Sequence, residues 1–81
     1  MLYFAWVREA VGVGQESIAP PVEVSRVADL VRWLSGRSAG HAAAMADPSR
    51  LRAAIDQVFV PMDAPIGNAR EVALFPPVTG G

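Results

Sequence analysis

The last two residues, Gly80 and Gly81, are the part of this sequence whose type and position best support chemistry. A terminal glycine presents an α-carboxylate with no Cβ on it or on its neighbour, so a cleft can grip the backbone and reach the carbonyl carbon from either side. A carboxylate is a poor electrophile. Adenylation by ATP would turn it into a mixed anhydride, from which a sulfur nucleophile could displace AMP. None of this requires a side chain from the protein itself, and the side chains offer little else. Cysteine is absent, which excludes a thiol nucleophile, a thiolate metal site and a disulfide. All seven basic residues are arginine, which excludes lysine Schiff-base chemistry. The one histidine, His41, lies in an alanine-rich stretch with too few partners for a metal site, and reads as a surface or partly buried structural residue. Ser17, Ser25, Ser35, Ser38 and Ser49 stand in no local His-acid arrangement. Gly12-Val13-Gly14 lacks the third glycine and the following helix of a dinucleotide loop, and the carboxylates are dispersed like solubilising charges.

A reactive terminus needs a body that holds it out. Pro76 and Pro77 are expected to stiffen the exit from Phe75 in an extended conformation, and Gly80 and Gly81 to leave the end narrow and mobile. The expected division is a domain over residues 1–75 and a tail over 76–81. Residues 2–7 are rich in aromatic and β-branched types and predict a strand; after the turn at 8–14, residues 15–19 predict a second, so the two form a hairpin. Ser25 is the expected N-cap of a helix whose Val27, Leu30, Val31 and Leu34 fall on one stripe, with Gly36 as its stop. A short helix is expected over 41–46, then strands over 51–55, 58–60 and 71–75. One main helix between an opening hairpin and later strands predicts an α+β fold, the helix packed on one face of a mixed sheet.

Length and composition bound the rest. Eighty-one residues enclose one modest core. With 52% hydrophobic and 19% charged residues the chain is too apolar for a disordered protein, and no apolar run approaches the ~18 residues that suggest a membrane span. The net charge is −1, with arginines scattered at 8, 26, 32, 37, 50, 52 and 70, which argues against nucleic acid as a partner. The opening residues lack a basic leader and a cleavage site, so a cytoplasmic location is expected.

The strand patterns carry one more message. A sheet covered on one face should alternate apolar and polar residues. Here both registers of residues 2–7 are apolar, and Val58-Phe59-Val60 and Val72-Ala73-Leu74-Phe75 repeat the pattern. One helix cannot cover both faces, so Phe4, Phe59 and Phe75 are expected to form an exposed apolar patch that binds a partner, unless residues 38–50 and 61–70 fold over it.

The ending Phe75-Pro76-Pro77-Val78-Thr79-Gly80-Gly81, preceded by Glu71-Val72-Ala73-Leu74, resembles that of the molybdopterin synthase small subunits, the MoaD-type sulfur carriers of the ubiquitin-like β-grasp family. Leu2-Tyr3-Phe4-Ala5 with Val7-Arg8-Glu9 is similar to that family's first strand and turn, and Val27 to Leu34 to its helix. Ala54-Ile55-Asp56-Gln57 resembles a hairpin that usually carries Asn-Gln, and Trp6 stands where a polar residue is common, which would enlarge a partner-facing patch.

The resemblance implies that a ubiquitin-activating-type adenylyltransferase consumes ATP to adenylate Gly81, and that a persulfide donor converts it to a thiocarboxylate. The tail would then enter a large synthase subunit and give sulfur to cyclic pyranopterin monophosphate, forming the molybdopterin dithiolene within a heterotetramer. No cofactor would be bound by the carrier. The family's partner surface maps onto Phe4, Arg8, Phe59 and Phe75, followed by the tail residues Pro76, Pro77, Val78 and Thr79. Rival readings are a carrier for thiamine or cysteine synthesis, and a non-covalent ubiquitin-like module or protein modifier.

Overall fold

The computed structural model describes residues 1–77. Four strands, β1 (Leu2–Tyr3), β2 (Arg52–Ile55), β3 (Val58–Val60) and β4 (Val72–Phe75), form one sheet in the order β1-β4-β2-β3. β1 runs parallel to β4, while β2 is antiparallel to both β4 and β3. Three helices, α1 (Ala5–Val11), α2 (Val27–Leu34) and α3 (Ala39–Ala44), and a 3-10 turn at Pro48–Arg50 fill the connection between β1 and β2.

The first strand is shorter than its residue types predict. It ends after Tyr3, and Ala5 turns the chain with φ +52°, so that Phe4 becomes the extended N-cap of α1 and its carbonyl accepts from the N–H groups of Val7 and Arg8. Val7, Ala10 and Val11 have the helical i, i+3, i+4 spacing and pack into or against the core, a pattern that the aromatic run before it obscures. Gly12, at φ +100°, closes α1 with its N–H on the Arg8 carbonyl. The expected opening hairpin is therefore replaced: residues 15–19 form no strand, and only a single antiparallel bridge joins Gln15 to Leu2.

Helix α2 spans the expected residues, with Val27, Leu30, Val31 and Leu34 all buried. Its N-cap position is Arg26 rather than Ser25, because the carboxylate of Asp29 accepts the N–H groups of both Arg26 (3.0 Å) and Ser25 (3.3 Å). These contacts, the Arg26 N–H first, hold the Asp29 carboxyl below the usual range. Helix α3 starts two residues before the expected segment, because Ser38 caps it by accepting the His41 N–H.

Core and exposure follow the period of two along the strands. Tyr3, Ala53, Val72 and Leu74 point to the helical side and share one cluster with Val7, Val27, Leu30, Val31, Leu34, Ala44, Met45 and Leu51. Within residues 61–70, Met62, Ala64, Ile66 and Ala69 pack against that same cluster. Both segments that might have covered the opposite face are thus drawn to the helical side. Three helices rather than one build that layer.

Candidate functional site

The opposite face of the sheet carries Leu2, Phe4, Ala54, Phe59, Ala73 and Phe75, with Gln57 and Glu71 at one end, around a depression of about 420 Å³. Strand register places them together: Ala73 lies opposite Ala54 and beside Leu2, and Phe59 lies opposite Ala54 on the next strand. The two alanines keep the floor low between the aromatic rings. Phe59 and Phe75 pack at 5.1 Å between ring centroids, tilted by 41°. Phe59 is nevertheless 73% exposed and Phe4 48% exposed, values at odds with a hydrophobic side chain that has its final neighbours. Covering each ring would contribute up to about 1.5–3 kcal/mol.

Phe4, Phe59 and Phe75 therefore meet on one surface as their failed alternation predicts. Arg8 is exposed but does not line the depression itself. It sits in α1 with its guanidinium against the backbone of Gly14, where a Cβ would lie 3.1 Å from Nε. Trp6 also departs from expectation: it packs against the edge of the core beneath Arg50, whose guanidinium carbon is 4.8 Å from the ring centroid, and adds nothing to the apolar face. Pro76 and Pro77 follow β4 directly and are half-buried. Val78, Thr79, Gly80 and Gly81 lie outside the described residues.

A polar cluster on the far side of the fold was not legible in the sequence. Glu16 Oε2 accepts the Tyr3 hydroxyl at 2.6 Å and lies 2.7 Å from Nε2 of His41. Because the ionised carboxylate has no proton to give, Nε2 carries the hydrogen, and Nδ1 lies 2.7 Å from Ser38 Oγ. Arg37 reaches the other Glu16 oxygen at 3.5 Å, and the Met1 amine donates to the Glu16 carbonyl at 2.9 Å. Burial opposes ionisation of Glu16, but the hydrogen bonds from Tyr3 and His41 and the nearby positive charge outweigh it and lower its pKa. The Tyr3 hydroxyl is pushed far above the usual phenol value, by burial first and then by Glu16. His41 is thus a buried structural residue, and Glu16 is a fastening between β1 and α3 rather than a solubilising charge. No local spacing announces a pairing between residues 25 positions apart.

Among the described residues, no group of three or more His, Asp or Glu side chains is placed to hold a metal ion. No helix there is long and apolar enough to cross a membrane.

The family model described as ThiS family matches residues 1–81. This chain belongs to the ThiS family. The mixed four-stranded sheet with its helices on one side is accordingly the β-grasp fold. Two relatives are similar over nearly their full lengths. The molybdopterin synthase sulfur carrier subunit of Escherichia coli (strain K12) is 40% identical over 84 residues, covering 100% of this chain and 96% of that protein. The subunit of the same name from Haemophilus influenzae (strain ATCC 51907 / DSM 11121 / KW20 / Rd) is 32% identical over 81 residues, with the same coverage.

Proposed function

We propose that this protein is a sulfur-carrier subunit of a molybdopterin synthase, in which Gly81 bears the sulfur and the body supplies docking. The observation that carries this reading is the continuity of surface and tail. The apolar face ends on Phe75, and the chain runs from that residue through Pro76 and Pro77 toward the terminal glycines. A partner seated on Phe4, Phe59 and Phe75 would hold the start of the tail as well. Full-length similarity to two proteins named molybdopterin synthase sulfur carrier subunit supports the same reading.

The chemistry proposed for the terminus balances in three steps. A Gly81 carboxylate oxygen attacks the α-phosphorus of ATP, the P–O bond to the β-phosphate breaks, and pyrophosphate leaves. A persulfide sulfur on a donor then attacks the acyl carbon and AMP departs. Reduction of the resulting acyl disulfide by a thiol releases the thiocarboxylate. The adenylating enzyme holds the ATP, and the carrier binds no cofactor of its own. In the large subunit, the thiocarboxylate sulfur would displace an oxygen substituent of cyclic pyranopterin monophosphate, water would then break the Gly81 C–S bond and return the carboxylate, and two carriers would supply one dithiolene.

Incubation with the adenylating enzyme, ATP and a persulfide donor tests this reading by intact mass. The expected gain is the difference between sulfur and oxygen, and deletion of Gly81 should remove it. A wild-type chain that is adenylated but never gains sulfur would overturn the proposal.

A further inference from the structure

The sequence has no lysine, although seven cationic side chains are present. Structure shows what the arginines do instead. The Arg37 guanidinium carbon lies over the Trp33 ring at 5.1 Å and that of Arg50 over Trp6 at 4.8 Å, cation–π contacts that arginine makes well. Arg26 donates to the Asp63 carbonyl at 2.6 Å, and Arg52 to the carbonyls of Leu51 and Ser49 at 2.8 and 3.2 Å. A guanidinium stays protonated through any ordinary pH and does not attack an activated acyl group. An exposed lysine differs: at pH 8 about 0.4% of it is neutral amine, taking its pKa as ~10.4. The Met1 nitrogen is partly buried and donates to the Glu16 carbonyl at 2.9 Å.

We propose that the side chains of this protein are inert toward its own activated terminus, because its surface presents arginine wherever a cation is exposed. The proposal rests on activation of Gly81 as described above. When an amine attacks the acyl adenylate, a C–N bond forms, the C–O bond to AMP breaks, and the amine proton goes to water. Two carriers then become one amide-linked dimer with no sulfur. Removing side-chain amines closes this route, so an activated carrier that meets another copy keeps its acyl group for a sulfur nucleophile.

The test adds amines without changing charge. Arg32, with 79% of its side chain exposed, and the exposed Arg70 are changed together, Arg32→Lys and Arg70→Lys. Wild type and variant are incubated with the adenylating enzyme and ATP, with and without the persulfide donor, and analysed by intact mass and peptide mapping. In the absence of sulfur donor, the variant should yield a species of two chains less one water, linked from Gly81 to residue 32 or 70, and wild type should yield none. Wild type forming as much dimer as the variant, or a variant that gains sulfur normally yet never forms dimer, would overturn the proposal. A parallel arm uses the full chain with Gly81 prepared as a mercaptoethanesulfonate thioester, which needs no adenylating enzyme. That arm decides self-reactivity even if adenylation of Gly81 itself fails.

Discussion

Nε2 of His41 lies 2.7 Å from Oε2 of Glu16, a contact that joins α3 to the segment after α1 across 25 residues of sequence. The same carboxylate oxygen holds the hydroxyl of Tyr3 in β1. One side chain thereby fastens the first strand and the third helix, on the side of the molecule away from the apolar face.

Acid should loosen this fastening. The folded pKa of Glu16 lies below its unfolded value, so its stabilisation is complete above the ordinary carboxylate pKa of about 4.3 and is lost as pH falls through the lower folded value. Glu16→Gln should lower stability at pH 7 by about 1–3 kcal/mol, since it weakens charge-assisted hydrogen bonds. The variant should also flatten the dependence of stability on pH below the carboxylate range. Urea titrations at a series of acidic pH values measure both effects, and an unchanged slope would remove Glu16 from the acid response.

Gly40 is a close-approach position. A Cβ there would stand 2.4 Å from the carbonyl oxygen of Ala10, backbone that cannot swing aside as a side chain can. Gly40→Ala should force α3 away from α1 and cost about 1–3 kcal/mol. In a domain of this size the melting temperature should then fall by roughly 4–8 °C for each kcal/mol. Thermal unfolding followed by circular dichroism checks it; a melting temperature equal to wild type would show that the two helices separate freely.

The β2–β3 turn places Asp56 at φ +47° and Gln57 at φ +72°, the left-handed pair of a two-residue hairpin. Glycine adopts the second position without strain, so Gln57→Gly should stabilise the fold by a few tenths to about 1 kcal/mol. The gain should vanish if Asp56→Ala is added, because Asp56 Oδ1 accepts the N–H groups of Arg70 and Glu71 and ties the turn to the start of β4. Chemical denaturation of the single and double variants measures the coupling.

Phe59 is mostly exposed, so replacing it should leave the fold almost untouched while damaging docking. Phe59→Ser should change stability by no more than about 0.5 kcal/mol. Binding to the large synthase subunit, read by calorimetry, should weaken by about 1.5–3 kcal/mol, or roughly 10- to 150-fold. Equal affinity for wild type and variant would place the docking surface elsewhere.

Much of the fold was legible because burial leaves a period in the sequence. Helix α2 announced itself through Val27, Leu30, Val31 and Leu34, and the sheet's second apolar face through phenylalanines that broke alternation. What the pattern could not show was where β1 stops. Tyr3, Phe4 and Trp6 favour a strand locally, yet Ala5 turns left-handed and Val7 buries itself as a helical residue. Tertiary packing overrode propensity there. The Glu16 cluster was hidden for a different reason, since its members come from three separate segments and only the closed fold brings them within hydrogen-bonding distance.

The parallel pairing of β1 with β4 also sets an order of events at birth. β4 lies between β1 and β2, yet among the described strands it is the last to be synthesised. While it is still inside the ribosome, β1 has no neighbour in the sheet and the β2–β3 hairpin has only itself. The floor between Phe4 and Phe59 is then missing, because Ala73 belongs to the final strand. A chain that stops before β4 therefore lacks this apolar face, and a partner that docks there, as proposed above, selects molecules that extend at least through Phe75.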